Sequence, residues 1–184
     1  ENHTGRVEGY RWAELWRSHL IPYKGSGELN KISSGNFNVL YTMQPSVGTV
    51  PLLIVDLIKS SDLATIWWIR LHPRQKGTRL HRQLIHDYVD SKNVIVNLAT
   101  DEPLPAILSK MDLHITNFSS CVYEASLFDV PTVFIDKNGE EYFSDLIKAN
   151  KAKYIMDKKE LKNYIAYVSR NRNLHIKSST ISTE

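Results

Sequence analysis

The sequence predicts an α/β protein, a Rossmann-like doubly wound parallel sheet of about six strands with helices on both faces. Strand-length apolar segments alternate with amphipathic helical segments over about 130 residues, as in consecutive βαβ units. Residues 65–71 form an almost continuous apolar run, which is typical of a parallel strand buried on both faces. Residues 112–136 have the pattern strand, turn, helix, strand, which is the repeating unit of such a fold.

The first half of the chain begins with a polar and aromatic run-in, residues 1–35, in which Trp12 and Trp16 fit a short amphipathic helix. Val39, Leu40 and Tyr41 then form the centre of the first strand. Apolar residues at helical spacing alternate with β-favouring segments from there on. The predicted order is strand 38–43, helix 51–60, strand 65–71, helix 78–89, strand 94–98 and helix 105–111.

The second half continues the same alternation and then becomes polar. Pro131 closes a helix because proline disfavours the helical conformation at the residue before it. The predicted order is strand 113–117, helix 119–129, strand 131–135, helix 141–149, strand 153–156 and helix 158–169. The main domain therefore covers residues 36–170, and residues 171–184 are predicted to be a polar, fraying tail.

Composition excludes several classes of function. A net charge of +3 gives no support to nucleic-acid binding through bulk charge. No apolar run approaches the roughly 20 residues that a membrane-spanning helix needs. The single cysteine, Cys121, excludes a disulfide framework and a cysteine-based zinc site, and we expect it to be a packing residue.

The turn at 117–120 is the main candidate for ligand binding. A helix that begins there offers backbone N–H groups and a partial positive charge, and Ser119 and Ser120 add hydroxyl donors for a phosphate. Glu124, one turn further along, is placed to accept hydrogen bonds from the hydroxyls of a ribose. The alternative is an ordinary helix cap, since serine is a favoured capping residue.

In doubly wound sheets the ligand lies beyond the carboxyl ends of the strands. His72, held extended by Pro73, is either a phosphate ligand or a strand-end histidine bonded to backbone, and Arg74 either binds phosphate or faces solvent. Arg70 lies inside its strand and is expected to be an ion-pair partner. The predicted substrate-binding residues are Gln44, Ser46, His72, Pro73, Arg74, Thr100, Thr116, Asn117, Ser119, Ser120 and Glu124.

Cofactor and metal motifs are not found. The sequence contains neither Gly-x-Gly-x-x-Gly nor the P-loop pattern, which disfavours a dinucleotide cofactor and a P-loop nucleotide. It also has no His-Glu-x-x-His and no carboxylate cluster suited to a catalytic metal. We therefore expect no cofactor and no metal, and a nucleotide phosphate held by hydroxyls and cationic side chains.

Three segments together resemble the donor half of GT-B glycosyltransferases: His72-Pro73-Arg74, residues 115–120, and Tyr123-Glu124-Ala125. The resemblance covers residues 37–157 and is strongest to bacterial capsule, lipopolysaccharide, polysialyltransferase-like and glycerophosphate-polymerising enzymes. It implies a CMP-, CDP- or UDP-linked sugar donor, with His72 (also the candidate catalytic residue) and Ser119 and Ser120 on phosphate and Glu124 near ribose. UDP-N-acetylglucosamine 2-epimerases share this half of the fold.

The resemblance also implies that the chain is truncated. GT-B enzymes have two such domains, and the amino-terminal one, which binds the glycan acceptor, does not appear in this sequence. The parent enzyme would act metal-independently in bacterial surface polysaccharide synthesis, in the cytoplasm. A lysine-rich segment at 151–162 allows two interpretations: peripheral contact with the inner face of the membrane, or simply a solvated helix face. Two other functions are weighed: an epimerase-like domain using Asp101, Glu102 and Glu124, and a non-catalytic interaction module using Trp12 and Trp16.

Overall fold

The computed structural model describes residues 25–178 together with Leu15 and Ser18, with side chains described as far as Arg172. Trp12 and Trp16 lie outside the described residues. The strands are β1 (Phe37–Thr42), β2 (Thr65–Arg70), β3 (Val94–Ile95), β4 (Leu113–Thr116), β5 (Thr132–Phe134) and β6 (Ala152–Tyr154). The helices are α1 (Gly27–Ser33), α2 (Leu52–Ser60), α3 (Arg79–Tyr88), α4 (Asn97–Asp101), α5 (Leu104–Leu108), α6 (Cys121–Leu127), α7 (Lys137–Tyr142), α8 (Ser144–Lys148) and α9 (Lys158–Ser178).

The six strands form one sheet in the order β3-β2-β1-β4-β5-β6, and every neighbouring pair is parallel. The chain winds outward from β1 to β3 and then returns to the centre to add β4, β5 and β6 on the other side. The direction of winding therefore reverses between β1 and β4. In open α/β sheets this switch point, at the carboxyl ends of the strands, is where a crevice forms.

The sheet is covered on both faces because its central strands are apolar on both sides. Val39, Trp67 and Ile115 belong to a core shared with residues of α2, α3 and α9. Leu40 and Trp68, one residue further along each strand, belong to a second core shared with α1, α5 and α6. Successive side chains of a strand point to opposite faces, so these two cores are the two layers of a doubly wound fold.

The two buried tryptophans of β2 find partners for their polar atoms. Trp68 Nε1 donates to Asn38 Oδ1 at 3.0 Å, and Trp67 Nε1 donates to Ser61 Oγ at 3.1 Å. A buried indole N–H without a partner would be destabilising, so both rings can be fully enclosed. The prediction that residues 65–71 form a strand buried on both faces is confirmed, with Ile66 to Ile69 all buried.

Several predicted boundaries were wrong. The strand predicted at 94–98 ends at Ile95, because Val96 leaves the extended conformation and α4 begins at Asn97. The helix predicted at 141–149 is two helices: Asp136 Oδ1 accepts from Asn138 N at 2.9 Å and starts α7 earlier, and Phe143, which leaves the helical conformation at ψ 30°, separates α7 from α8. The Phe143 ring stacks on Phe134 with centroids 5.0 Å apart, which fixes that break.

The two ends of the described segment are also more regular than predicted. Ser26 accepts from Leu29 N at 3.1 Å and starts α1 within the predicted run-in. Helix α9 extends through the predicted tail to Ser178. Arg172 on this helix donates from its Nη1 to the Asn36 carbonyl oxygen at 2.7 Å, so this part of α9 packs beside the start of β1. Within residues 25–178, no helix has the length and apolar character needed to cross a bilayer.

Candidate functional site

The loops that follow β1, β2 and β4 meet at the switch point. Gln44 follows β1, the turn at 72–75 follows β2, and the segment at 117–120 follows β4. Parallel pairing of β1 with both β2 and β4 brings these three strand ends to one edge of the sheet. The sequence predicted that all of the strand-end candidates would open onto this edge. The topology brings the three loops together, but the side chains of Gln44, Thr100, Thr116 and Asn117 are buried.

Hydrogen bonds from two buried glutamines join the three loops. Gln75 accepts at Oε1 from His72 N at 3.0 Å, and its Nε2 donates to the carbonyl oxygens of Gln44 at 2.9 Å and Val47 at 3.1 Å. Gln44 accepts at Oε1 from Phe118 N at 3.1 Å. One network therefore runs from the β2 loop through the β1 loop to the β4 loop.

His72 is held at the start of a single 3-10 turn, Pro73–Gln75. Its Nδ1 accepts from Arg74 N at 3.2 Å, while its own backbone N–H is held by Gln75. An imidazole nitrogen that accepts a hydrogen bond carries no proton, so the neutral ring has its proton on Nε2. The ring is therefore a fixed donor through Nε2, while Pro73 and Arg74 beside it are exposed.

The turn at 117–120, which carries Ser119 and Ser120 and is called the serine turn below, differs in detail from the expected helix start. Ser119 Oγ accepts from Cys121 N at 3.3 Å, and the N–H groups of Val122 and Tyr123 bond to the carbonyls of Ser119 and Ser120 at 3.3 and 3.0 Å. The first N–H groups of α6 are thus occupied. Within the described part of the chain, the N–H groups of Ser119 and Ser120 and the exposed Ser120 hydroxyl donate to no other protein group. The helix begins at Cys121, two residues later than the predicted start at 119, and the donors that this turn offers belong to the two serines before it.

Other predicted site residues are buried beneath the rim and hold its loops. Thr116 donates to the Thr42 carbonyl oxygen at 3.1 Å, and Thr100 Oγ1 accepts from Leu71 N at 3.2 Å. Asn117 Oδ1 accepts from the Tyr41 hydroxyl at 2.7 Å. These side chains position the backbone of the rim, whereas Ser46 is exposed at the end of the β1 loop.

Arg70, predicted to be an ion-pair partner, forms no ion pair with the described residues. Its Nη1 donates to two backbone carbonyl oxygens, those of Ala99 and Glu102, the latter at 2.7 Å. Burial lowers the pKa of Arg70, and the nearby Cys121 and Asp101 oppose that shift. The guanidinium therefore anchors the loop around α4 to the end of β2, next to the serine turn.

Sequence reasoning missed the residues that complete the rim after β5. Asp136 follows β5, and its charge adds to burial in raising the pKa of the Tyr41 hydroxyl. Gly139 packs so closely that a Cβ there would lie 2.5 Å from the carbonyl oxygen of Asn117, so only glycine lets α7 approach the β4 loop this closely. A pattern that could have revealed them is the capping aspartate directly after an apolar strand.

Glu124 contributes an unsatisfied polar atom. Its Oε2 is buried and has no hydrogen-bond partner among the described residues. Burial raises the pKa of this carboxyl, partly offset by a backbone N–H. Buried carboxylate oxygens normally have partners, so this atom calls for a donor that the described residues do not supply.

We expect Glu124→Gln to change the pH dependence of stability. The folded state holds the Glu124 proton more tightly than the unfolded chain does, so this residue favours folding at low pH and its contribution is lost as pH rises through the raised folded pKa. Glutamine does not titrate, so its stability relative to wild type should increase from acid to neutral pH. Urea denaturation at several pH values measures this, and a constant difference across that range would contradict it.

Metal coordination has no support in the described residues, which contain no group of three or more His, Cys, Asp or Glu able to hold an ion. Cys121 is partly buried at the start of α6, and burial raises the pKa of its thiol. A raised pKa keeps a thiol protonated and weakly nucleophilic. The site thus offers hydrogen-bond donors and one unsatisfied carboxylate.

Comparison with known proteins identifies the fold. No family model and no curated protein sequence matches the chain. Solved structures do match: a protein named as a UDP-N-acetylglucosamine 2-epimerase from Listeria monocytogenes has a TM-score of 0.63 at 17% identity, over 89% of this chain and 44% of that one. The Rossmann-like fold class is confirmed.

Two further structures share the fold at low identity. The carboxyl-terminal CMP-Kdo binding domain of WaaA from Acinetobacter baumannii has a TM-score of 0.57 at 10% identity, over 92% of this chain and 94% of that domain. A variant of the wall teichoic acid polymerase TagF has a TM-score of 0.53 at 13% identity, over 91% of this chain and 40% of the polymerase. The chain thus spans less than half of the epimerase and of TagF, and about the whole WaaA domain.

Proposed function

We propose that this chain is the donor-nucleotide domain of a metal-independent GT-B glycosyltransferase of bacterial surface polysaccharide synthesis. The donor is a CMP-, CDP- or UDP-linked sugar. The observation that carries the proposal is the glutamine network, which holds the His72 turn and the serine turn together at the switch point. The likeness to a CMP-Kdo binding domain of nearly equal length supports it.

The residues offer a chemistry for phosphate binding without a metal. The Nε2–H of His72, the Ser120 hydroxyl and the N–H groups of the serine turn are donors that a phosphate accepts. Arg74 adds a positive charge at the same rim. Donors that are held in place before the reaction stabilise the negative charge that develops on a departing phosphate. Glu124 would accept from ribose hydroxyls, which satisfies its unpaired oxygen.

The rest of the reaction belongs to the parent protein. We assign the glycan acceptor and a general base to an amino-terminal domain of the parent protein. The parent is proposed to work in the bacterial cytoplasm, with peripheral contact at the inner face of the membrane through the exposed lysines of 151–162.

Calorimetric titration with CMP, CDP, UMP, UDP and GDP tests the donor site. We expect one pyrimidine nucleotide to bind in preference to GDP, and His72→Ala and Ser120→Ala each to weaken it about 10-fold or more, because hydrogen bonds to a charged group contribute about 1.5–3 kcal/mol. Matched controls are His86→Ala and Ser60→Ala, which remove exposed side chains of the same types elsewhere on the surface. Failure of every nucleotide to bind, or equal weakening by the control substitutions, would contradict the proposal.

The second candidate function is a sugar-nucleotide 2-epimerase, favoured by the TM-score of 0.63 with the Listeria protein. Such an enzyme needs carboxylates free to move protons on the sugar. Three carboxylates are candidates for this role: Asp101, Glu102 and Glu124. Asp101 pairs with Lys76 at 2.6 Å and Glu102 accepts from Ser26 N at 3.2 Å, so Glu124 is the best candidate to move a proton on the sugar. Exchange of solvent deuterium into UDP-N-acetylglucosamine, measured on the full-length protein, would favour the epimerase over the transferase.

A further inference from the structure

We propose that Gln75 and Gln44 are positioning residues of the nucleotide site: Gln75 sets the orientation of His72, and Gln44 ties the serine turn to it. This inference rests on the proposed function for its ligand. It adds two residues whose side chains are buried, 6% and 9% exposed, and which act through His72 and Phe118.

Gln75 makes three bonds that only a glutamine can make together. Its Oε1 accepts the N–H of His72, and its two Nε2 hydrogens serve two carbonyl oxygens of the β1 loop. Glutamate has no donor for those carbonyls, lysine has no acceptor for His72 N, and asparagine is one methylene shorter. The Gln75 side chain thereby fixes the backbone of His72, from which the imidazole ring extends.

The orientation of the His72 ring depends on that backbone. The turn Pro73–Gln75 brings Arg74 N to His72 Nδ1, which selects the tautomer with its proton on Nε2. If Gln75 releases His72 N, the turn loses a partly buried hydrogen bond, and the ring is no longer held as an acceptor for Arg74 N alone. A ring with mixed tautomers would offer a phosphate the donor at Nε2 only part of the time.

Gln44 carries the connection to the other side of the switch point. Its backbone carbonyl accepts from Gln75, and its side-chain oxygen accepts from Phe118 N, directly before the two serines. The two turns are thus linked through the side chain and main chain of one residue. A change in the β2 loop should therefore reach the amides of the serine turn.

The first test uses the free protein and nitrogen-15 NMR. In wild type, the His72 ring nitrogens should show one tautomer with Nδ1 unprotonated. Gln75→Met should give a mixture and should shift the Phe118 and Ser119 amide signals. Gln44→Met should shift the signals of the same two amides and should remove the protection of the Phe118 amide from hydrogen exchange. Gln44→Glu keeps an acceptor for Phe118 N, so that amide should stay protected. Gln83→Met, at an exposed glutamine of α3, is the control.

The second test is a double-mutant cycle on binding of CDP and UDP. Gln75→Met should lower the affinity for the nucleotide that wild type binds about 10-fold. When His72 is already alanine, the same substitution should lower that affinity no more than about 2-fold, because the two residues contribute to one interaction. Equal weakening in both backgrounds, or a His72 ring whose tautomer is unchanged by Gln75→Met, would overturn the inference. If neither nucleotide binds wild type, the proposed function fails, and the tautomer of His72 in Gln75→Met still decides the positioning role.

Discussion

Acidification from pH 6.5 to about 4.5 is expected to remove about 2 kcal/mol of folding free energy through His114 alone. This residue lies on the central strand β4 and is fully buried. Its Nε2 is 2.9 Å from Thr42 Oγ1 and its Nδ1 is 3.0 Å from Thr132 Oγ1, so its ring bridges β1, β4 and β5 directly beneath the rim.

The loss of stability in acid follows from the lowered pKa of His114. Burial lowers the pKa of His114 to about 3 from an ordinary value of 6.5. Between those values the unfolded chain binds a proton that the folded protein excludes. The contribution of His114 to stability is therefore complete well above pH 6.5, and it falls by up to about 1.4 kcal/mol per pH unit well below pH 6.5. The sheet that carries the site should therefore be sensitive to acid.

Urea denaturation of wild type and His114→Gln at pH 7.5, 6, 5 and 4.5 measures this contribution. The variant should be less stable than wild type at pH 7.5, because it loses the imidazole packing, but should lack the additional slope. His86→Gln is the control, since His86 is exposed on α3. The same slope in wild type and in His114→Gln would contradict the assignment.

Arg70→Met is expected to lower the free energy of unfolding by about 2–4 kcal/mol. The substitution leaves the carbonyl oxygens of Ala99 and Glu102 without the guanidinium that now serves both. An acceptor stranded in a buried position costs about 1–3 kcal/mol, and the two lie in one short loop. Methionine keeps much of the apolar stem, so the loss is specific to the donors.

Hydrogen exchange locates the Arg70 effect. The amides of Thr100 and Glu102, which bond to the carbonyls of Val96 and Leu98, should lose protection in Arg70→Met, because α4 is anchored through this arginine. Arg79→Met, at an exposed position of α3, is the matched control. Loss of stability with unchanged exchange around α4 would show that Arg70 acts elsewhere.

Much of the fold was predictable because burial leaves a direct pattern in the sequence. The apolar run of β2 and the helical spacing of α3 both follow from which side chains must avoid water. The division of 94–101 into a two-residue strand and α4 was not predictable in this way. It depends on Arg70, 27 residues earlier than Asn97, whose guanidinium supplies the loop with donors.

The candidate site divides in the same way. The rule that ligands lie beyond the carboxyl strand ends predicts His72 and the two serines as site residues from local patterns. Gln75 was not identified, since a glutamine in a loop has no pattern that distinguishes a network from solvent. Asp136 follows an apolar strand as a helix-capping residue, a pattern that the sequence reasoning did not use. Their roles come from contacts between loops that are distant in sequence, such as the 31 residues between Gln44 and Gln75.

The central claim is that a nucleotide phosphate binds at the carboxyl rim between β1 and β4. Amide chemical-shift mapping during titration with CDP and UDP tests it most directly. We expect the largest shifts at Ser119, Ser120 and Arg74. Shifts concentrated in the polar cleft at the opposite end of the sheet, around Asn36, Lys110, Asp112 and Arg172, would contradict it.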